Sequence, residues 1–414
     1  MNKILKKIKI KEPVIYLVNY SSLTYIFIVL NFFQSHATSV QISIIQGLIG
    51  FIILGFSGDI RSIYLIKNSH NNVHRVILFR FFISLILCLV YVIFFRATDF
   101  IFILALIAKR SIDWVDEVVI HTSTAITNNT FKLRYLSVQL IFISILPFFY
   151  LAFHSFILLY FLCWCISNFL TIKSFYMEIL IRREKNNKAT IRSMEPHIFN
   201  TLINKQLVST LFINSTNLFL RIFINLSFAI SQSSAIISSM TIGGFLFSLF
   251  SNAYLPSFVK YTSEGNGRLK KNFNFLYLFL AFILFIIFCI FMPREFFYKY
   301  NLLPRYIIFS FIGGIILLFS NYIRLFLIQS KKSSTLNEDL VIHTLFSSAL
   351  FVIYSYNKSS YFLFASLGLG LFSLLIYIIR FLSLKISILK FYIFFILYFL
   401  LICSSLLSFL FLIL

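Results

Sequence analysis

Apolar residues along this chain come in runs of about 20 separated by short polar stretches, without the alternation that a membrane β-barrel would need. A helix of that length crosses roughly 30 Å of hydrocarbon with its backbone amides and carbonyls paired internally. The runs predict helices over 14–34, 39–58, 77–95, 100–122, 136–152 and 156–177. A second set is predicted over 206–228, 234–257, 273–292, 305–328, 339–356 and 360–381, with a last apolar run over 391–414. The pattern is that of an all-α polytopic membrane protein. The first run, Val14 to Phe33, follows a basic start but is succeeded by QSHATSVQ and another run, so it reads as a span and not as a cleaved leader.

The first six helices and the next six have similar lengths and begin on the same side. The longest connection, 178–205, separates them. This spacing predicts two six-helix lobes, N and C bundles related by a pseudo-two-fold axis along the membrane normal, as some transporters have. The expected domains are therefore 1–205, a lobe with its basic loop; 206–385, the second lobe; and 386–414, one extra transmembrane helix. The best local match between lobes is Gly47 in QGLIG with Gly243 in IGGFL.

Composition sharpens the membrane reading. Of 414 residues 60% are hydrophobic and only 12% charged, which is too little polar surface to coat a water-soluble globule of this size. The formal net charge of +23 would suggest a nucleic-acid partner in a soluble protein, but here 28 of the 36 Lys and Arg fall in the alternate gaps that share a side with the amino terminus or at the helix ends bordering them. Positive short loops stay cytoplasmic, so the amino terminus is expected inside a bacterial inner membrane, and no nucleic acid is expected. Arg324 and the Asp59 and Arg61 pair read as interface anchors. The five cysteines lie in apolar runs with no CxxC spacing, and His70 and His74 have no third ligand, so neither metal nor cofactor is expected.

The embedded charges carry the candidate chemistry. On a helical projection Lys109, Arg110, Asp113, Asp116, Glu117, Thr124 and Thr127 share a sector about 120° wide. Such a stripe must face protein or water, because even one charge at the bilayer centre costs roughly 2.5–3.5 kcal/mol. Gln206, Thr210, Asn214, Asn217, Arg221 and Asn225 form a second stripe, about 100° wide. Two readings stand. The stripes line one wet cavity, with Lys109, Arg110 and Arg221 binding an anion; or the acids neutralise the bases between packed helices, Arg221 finding Asp113 or Glu117. His121, beside the first stripe, fits a satisfied buried histidine. No nucleophile elbow, phosphate-cradling glycine loop or HExxH is present, and the longest outside gap, Pro293 to Pro304, is short for an enzyme acting on lipid-linked sugars.

The six-plus-six layout, the basic central loop, GFSGDIRSIYLIKNSHNNVHRVILFR and KRSIDWVDE resemble Wzx-type polysaccharide flippases of the multidrug/oligosaccharidyl-lipid/polysaccharide exporter superfamily, over about residues 1–385. The family usually has twelve spans, so the final run is a departure. The resemblance implies movement of an undecaprenyl-pyrophosphate-linked oligosaccharide, an O-antigen or capsule repeat unit, to the outer leaflet by alternating access. Lys109, Arg110, Arg221, Asn217 and Asn225 would then contact substrate, and Asp113, Asp116 and Glu117 would serve as counter-charges or couple a proton or sodium ion. Membrane lipids and the polymerase and chain-length proteins of glycan assembly would be its partners. A small-solute or drug exporter of the same superfamily, and an integral polymerase or ligase, are the alternatives.

Overall fold

With no water in hydrocarbon to bond an open backbone, apolar runs of this length are held to helix, and that is the conformation they take. The computed structural model describes residues 18, 25, 29, 36–57, 80, 82–83, 85–86, 89, 104–105, 107–113, 116, 129–153, 156, 159–171, 173, 196–253, 294–331 and 335–383. No strand occurs among them. In chain order the helices are α1 (His36–Ser57), α2 (107–113, with Asp116 helical beyond it), α3 (Asn129–Ala152), α4 (Leu159–Thr171) and α5 (Pro196–Ser227). There follow α6 (Ile230–Ala253), the short α7 (Arg294–Lys299), α8 (Pro304–Lys331), α9 (Leu336–Ser355) and α10 (Ala365–Ser383), the last preceded by a 3-10 segment, Ser359–Phe364.

Four described stretches are long and apolar enough to cross a membrane: Leu133–Ala152, Pro304–Ile328, Leu336–Ser355 and Ser359–Leu382, of 20, 25, 20 and 24 residues. Twenty residues at about 1.5 Å each reach about 30 Å. They coincide with the runs expected at 136–152, 305–328, 339–356 and 360–381. Over the described residues the chain is thus helical, with helices of membrane-spanning length and composition. Most of the runs expected at 14–34, 77–95, 273–292 and 391–414 lies outside the described residues. So do Asp59, Arg61, His70, His74 and His121. α5 starts ten residues before the expected 206, inside the stretch read as a cytoplasmic connection. Pro196 explains the early start, since a first helical residue has no amide partner to lose and proline presets its φ; Pro304 opens α8 in the same way.

Side-chain placement is the reverse of a water-soluble fold. Phe148 and Leu151 on α3, Phe169 and Leu170 on α4, and Phe351 and Val352 on α9 point outward, while Gln139, Asn168, Lys109 and Asp113 are buried. Apolar faces of this extent would aggregate in water, but lipid accepts them.

The chain divides into two compact units, Met1–Ile222 with Asn252–Tyr254, and Phe223–Ser251 with Leu255–Leu414; the division falls within α5. In the first, α3 and α4 pack through aromatic side chains. Phe142 stacks on Trp164 with centroids 5.4 Å apart, and the Tyr160 hydroxyl donates to the Phe142 carbonyl. Pro147 inside α3 removes the amide that would have met the neighbouring Ile143 carbonyl, a local weakness that this cross-helix bond supports.

In the second unit, α8 is the buried helix and small residues let its neighbours reach its backbone. Ser239 on α6 accepts the Leu303 amide at 2.8 Å, and one turn on, a Cβ on Gly243 would sit 2.2 Å from the Ile307 carbonyl oxygen. On the other side, a Cβ on Gly313 would sit 2.5 Å from the Ser366 carbonyl, and Ser310 and Ser366 share a 3.3 Å hydrogen bond. Such small-residue seams replace the hydrophobic effect, which does not drive helix association in lipid. A paired prediction follows. Gly243→Ala forces α6 away from α8 and should lower thermal stability by about 1–3 kcal/mol. Gly244→Ala, with nothing within 4 Å of its Cβ, should leave stability near the parent's apart from a helix-propensity gain of up to about 1 kcal/mol. Unfolding of both variants in detergent checks the contrast, and equal losses would refute it.

Candidate functional site

Helix periodicity puts Lys109, Asp113 and Asp116 on one face, at positions i, i+4 and i+7. All three are buried, with 0%, 1% and 0% of their surface exposed. The Lys109 ammonium pairs with the Asp113 carboxylate and lies 4.2 Å from the centroid of the Trp164 ring. An opposite charge on one side and a π face on the other are what a desolvated ammonium needs. The ring is itself held: the Trp164 indole N–H donates to Gln139 at 3.0 Å, and the Gln139 amide donates to Asn168 at 2.9 Å. Two helices therefore fix the surroundings of a charge on a third. Asp116 is treated differently. Neither of its oxygens has a hydrogen-bond partner among the described residues, and the Tyr135 hydroxyl of α3 is the polar group of a neighbouring helix close enough to interact with it.

One residue further along α2, about 100° around the helix, Arg110 lies within electrostatic range of Arg221 on α5. Arg221 is partly buried and donates to the Ser43 carbonyl at 2.5 Å and to Gln46 at 3.3 Å, both on α1. The approach of α1 depends on Gly47, whose added Cβ would meet Leu218 at 3.2 Å and the Arg221 Cδ at 3.4 Å. Both acceptors are neutral, so these bonds orient the guanidinium without cancelling its charge. The structure thus leaves Arg110 within electrostatic range of Arg221 and turns Lys109 toward Asp113 and Trp164.

The other expected site residues scatter. Asn217 is exposed, Asn214 bonds back to the Thr210 carbonyl of its own helix at 2.8 Å, and Asn225 lies past residue 222, in the second unit. Glu117, Thr124, Thr127 and the side chain of Gln206 are outside those described. Arg80 is fully buried.

A second polar cluster went unnoticed in the sequence. Arg324 on α8, read there as an interface anchor, is only 6% exposed and grips Asp339 of α9 at two points, Nε at 3.1 and 3.2 Å and Nη2 at 3.1 Å. Thr335 donates to the same carboxylate at 3.0 Å, and the Tyr377 hydroxyl of α10 donates to its other oxygen. His343, one turn along α9, is buried within electrostatic range of both charges. Nearby, Arg380 and Glu338 form a more exposed pair at 3.0 Å. Interface anchoring fails for Arg324 because the next helix supplies a carboxylate before the side chain reaches water. The available signal was a base seven residues before the end of α8 followed by an acid in the first turn of α9.

No family model, curated protein or solved structure matches this chain.

Proposed function

We propose that this protein is a flippase carrying an undecaprenyl-pyrophosphate-linked oligosaccharide from the cytoplasmic to the outer leaflet of a bacterial inner membrane. The observation that supports the reading is Arg221, a guanidinium oriented by neutral acceptors within electrostatic range of Arg110 in the same unit. Two like charges held close gain most from an anion between them, and the planar fork of arginine suits phosphate oxygens. Lys109 is paired with Asp113, so the anion site in this reading is centred on Arg221 with Arg110 in range. The glycan crosses in a hydrated path while the lipid tail stays in the bilayer, with the amino terminus cytoplasmic and the lobes 1–205 and 206–385 alternating in access. The chain moves its substrate and performs no bond chemistry on it; glycan polymerase and chain-length proteins act on what it delivers.

The test is the leaflet location of the lipid-linked oligosaccharide in cells lacking the gene, read on spheroplasts with an impermeant sugar-directed probe. Accumulation in the cytoplasmic leaflet, reversed by the intact gene, is the expected result. Unaltered outer-leaflet delivery in a strain without a redundant carrier would discard it. Altered chain length or attachment would then point to the polymerase or ligase class, and drug resistance without a glycan defect to a solute exporter.

A further inference from the structure

We propose that Asp116 is a proton-binding carboxyl group, loaded and unloaded within the membrane-spanning part of the first unit. Lys109, Asp113 and Asp116 are all buried, at 0%, 1% and 0% exposure, and the single ammonium is already shared between Asp113 and the Trp164 ring. Asp116, one helical turn from Asp113, adds a second carboxylate to a site with one positive charge. Both of its oxygens lack a hydrogen-bond partner among the described residues. A carboxylate desolvated and unbonded in this way is disfavoured, and taking up one proton removes the charge at once.

The surroundings favour a proton over a metal cation. Among the described residues, the titratable groups facing Asp116 are Asp113 and Lys109 from its own helix and Tyr135 from α3. A sodium ion would need several oxygens around it, as the unwound carbonyls of transporter helices provide, and would sit against the Lys109 ammonium. A proton needs a single oxygen. The step balances without a co-reactant: the carboxylate takes H⁺ from water to give the neutral acid and returns it unchanged, with no oxidation or reduction. Ionisable groups inside membrane helices are rare and mark functional sites, proton relays among them. Asp113 keeps the counter-charge role for Lys109, whereas Asp116 is the member of the trio left to exchange.

The site does not depend on what the protein transports, so the flippase reading can fail while this inference stands, and the reverse. The test uses the full-length protein in lipid nanodiscs. The chain has two tryptophans, so a Trp114→Phe background leaves Trp164, which stacks over Lys109, as the fluorescent reporter of the cluster's charge. Acidification should raise an infrared band of a protonated carboxyl, sensitive to D₂O, with a matching change in Trp164 emission. Asp116→Asn, which has the shape of the neutral acid, should abolish both. Tyr135→Phe should keep the band, because the proton resides on Asp116. Persistence of the band in Asp116→Asn, its loss in Tyr135→Phe, or its constancy between acid and alkaline pH would overturn the inference. So would a Trp164 response to exchanging sodium for choline at fixed pH.

Discussion

Asp339→Ala should destabilise the protein by about 3–5 kcal/mol, the cost of leaving a buried charge without its partner. The carboxylate, on α9, accepts from two other helices and from the residue before its own: from Nε and Nη2 of Arg324, from Thr335 and from Tyr377. Its removal strands the Arg324 guanidinium with 6% exposure, too deep to be rescued by water. The opposite design gives the opposite result. Replacing both charges, Arg324→Met with Asp339→Leu, removes the desolvation of each ion along with their attraction, and should recover most of the loss. Thr335→Val and Tyr377→Phe each take away one bond and should cost about 0.5–3 kcal/mol. Thermal unfolding of Arg324→Met, Asp339→Leu and the double variant in one detergent gives the coupling energy directly. Strictly additive losses would mean that the pair contributes nothing as a pair.

This cluster also shows which parts of the architecture the linear pattern carries and which it does not. Span positions are legible because the bilayer sets one length scale, and the runs at 136–152, 305–328, 339–356 and 360–381 follow from it within a few residues. The Lys109–Asp113 pair is legible because both residues sit on one helix at i and i+4, where the geometry is fixed before any tertiary contact forms. Arg324 with Asp339 was missed because the two lie on successive helices, and hydropathy says nothing of how those helices rotate about their axes. The same gap separated Lys109 from Arg110. A stripe about 120° wide groups them, yet neighbouring helices divide it: Trp164 and Tyr135 bound the side of Lys109 and Asp116, and Arg221 bounds the side of Arg110.

Glycines tell a similar story in packing. Gly47 and Gly243, matched in the sequence only by local resemblance, both mark points where another helix comes within reach of the backbone, Leu218 in one case and Ile307 in the other. The reason for each glycine became visible only with its partner. Gly244, next in sequence and open to space, has no such reason.

Arg221→Ala should lower export of the lipid-linked oligosaccharide by about tenfold to a hundredfold, the loss of a charge-assisted hydrogen bond of about 1.5–3 kcal/mol. The protein itself should remain in the membrane near the parent level. The bonds lost within the fold run to the Ser43 carbonyl and to Gln46, and neither acceptor is a charge that the mutation would strand. That contrast with Asp339 separates a binding residue from a structural one. Arg221→Lys is the sharper variant: an ammonium keeps the charge beside Arg110 but loses the two-pronged fit to phosphate, so export should fall between parent and Arg221→Ala. Export and membrane abundance measured together decide the matter. Parent-level export from Arg221→Ala would remove this residue from the anion site, and with it the geometric support for a pyrophosphate-bearing cargo. A fall in export matched by an equal fall in abundance would instead make Arg221 a packing residue that ties α5 to α1.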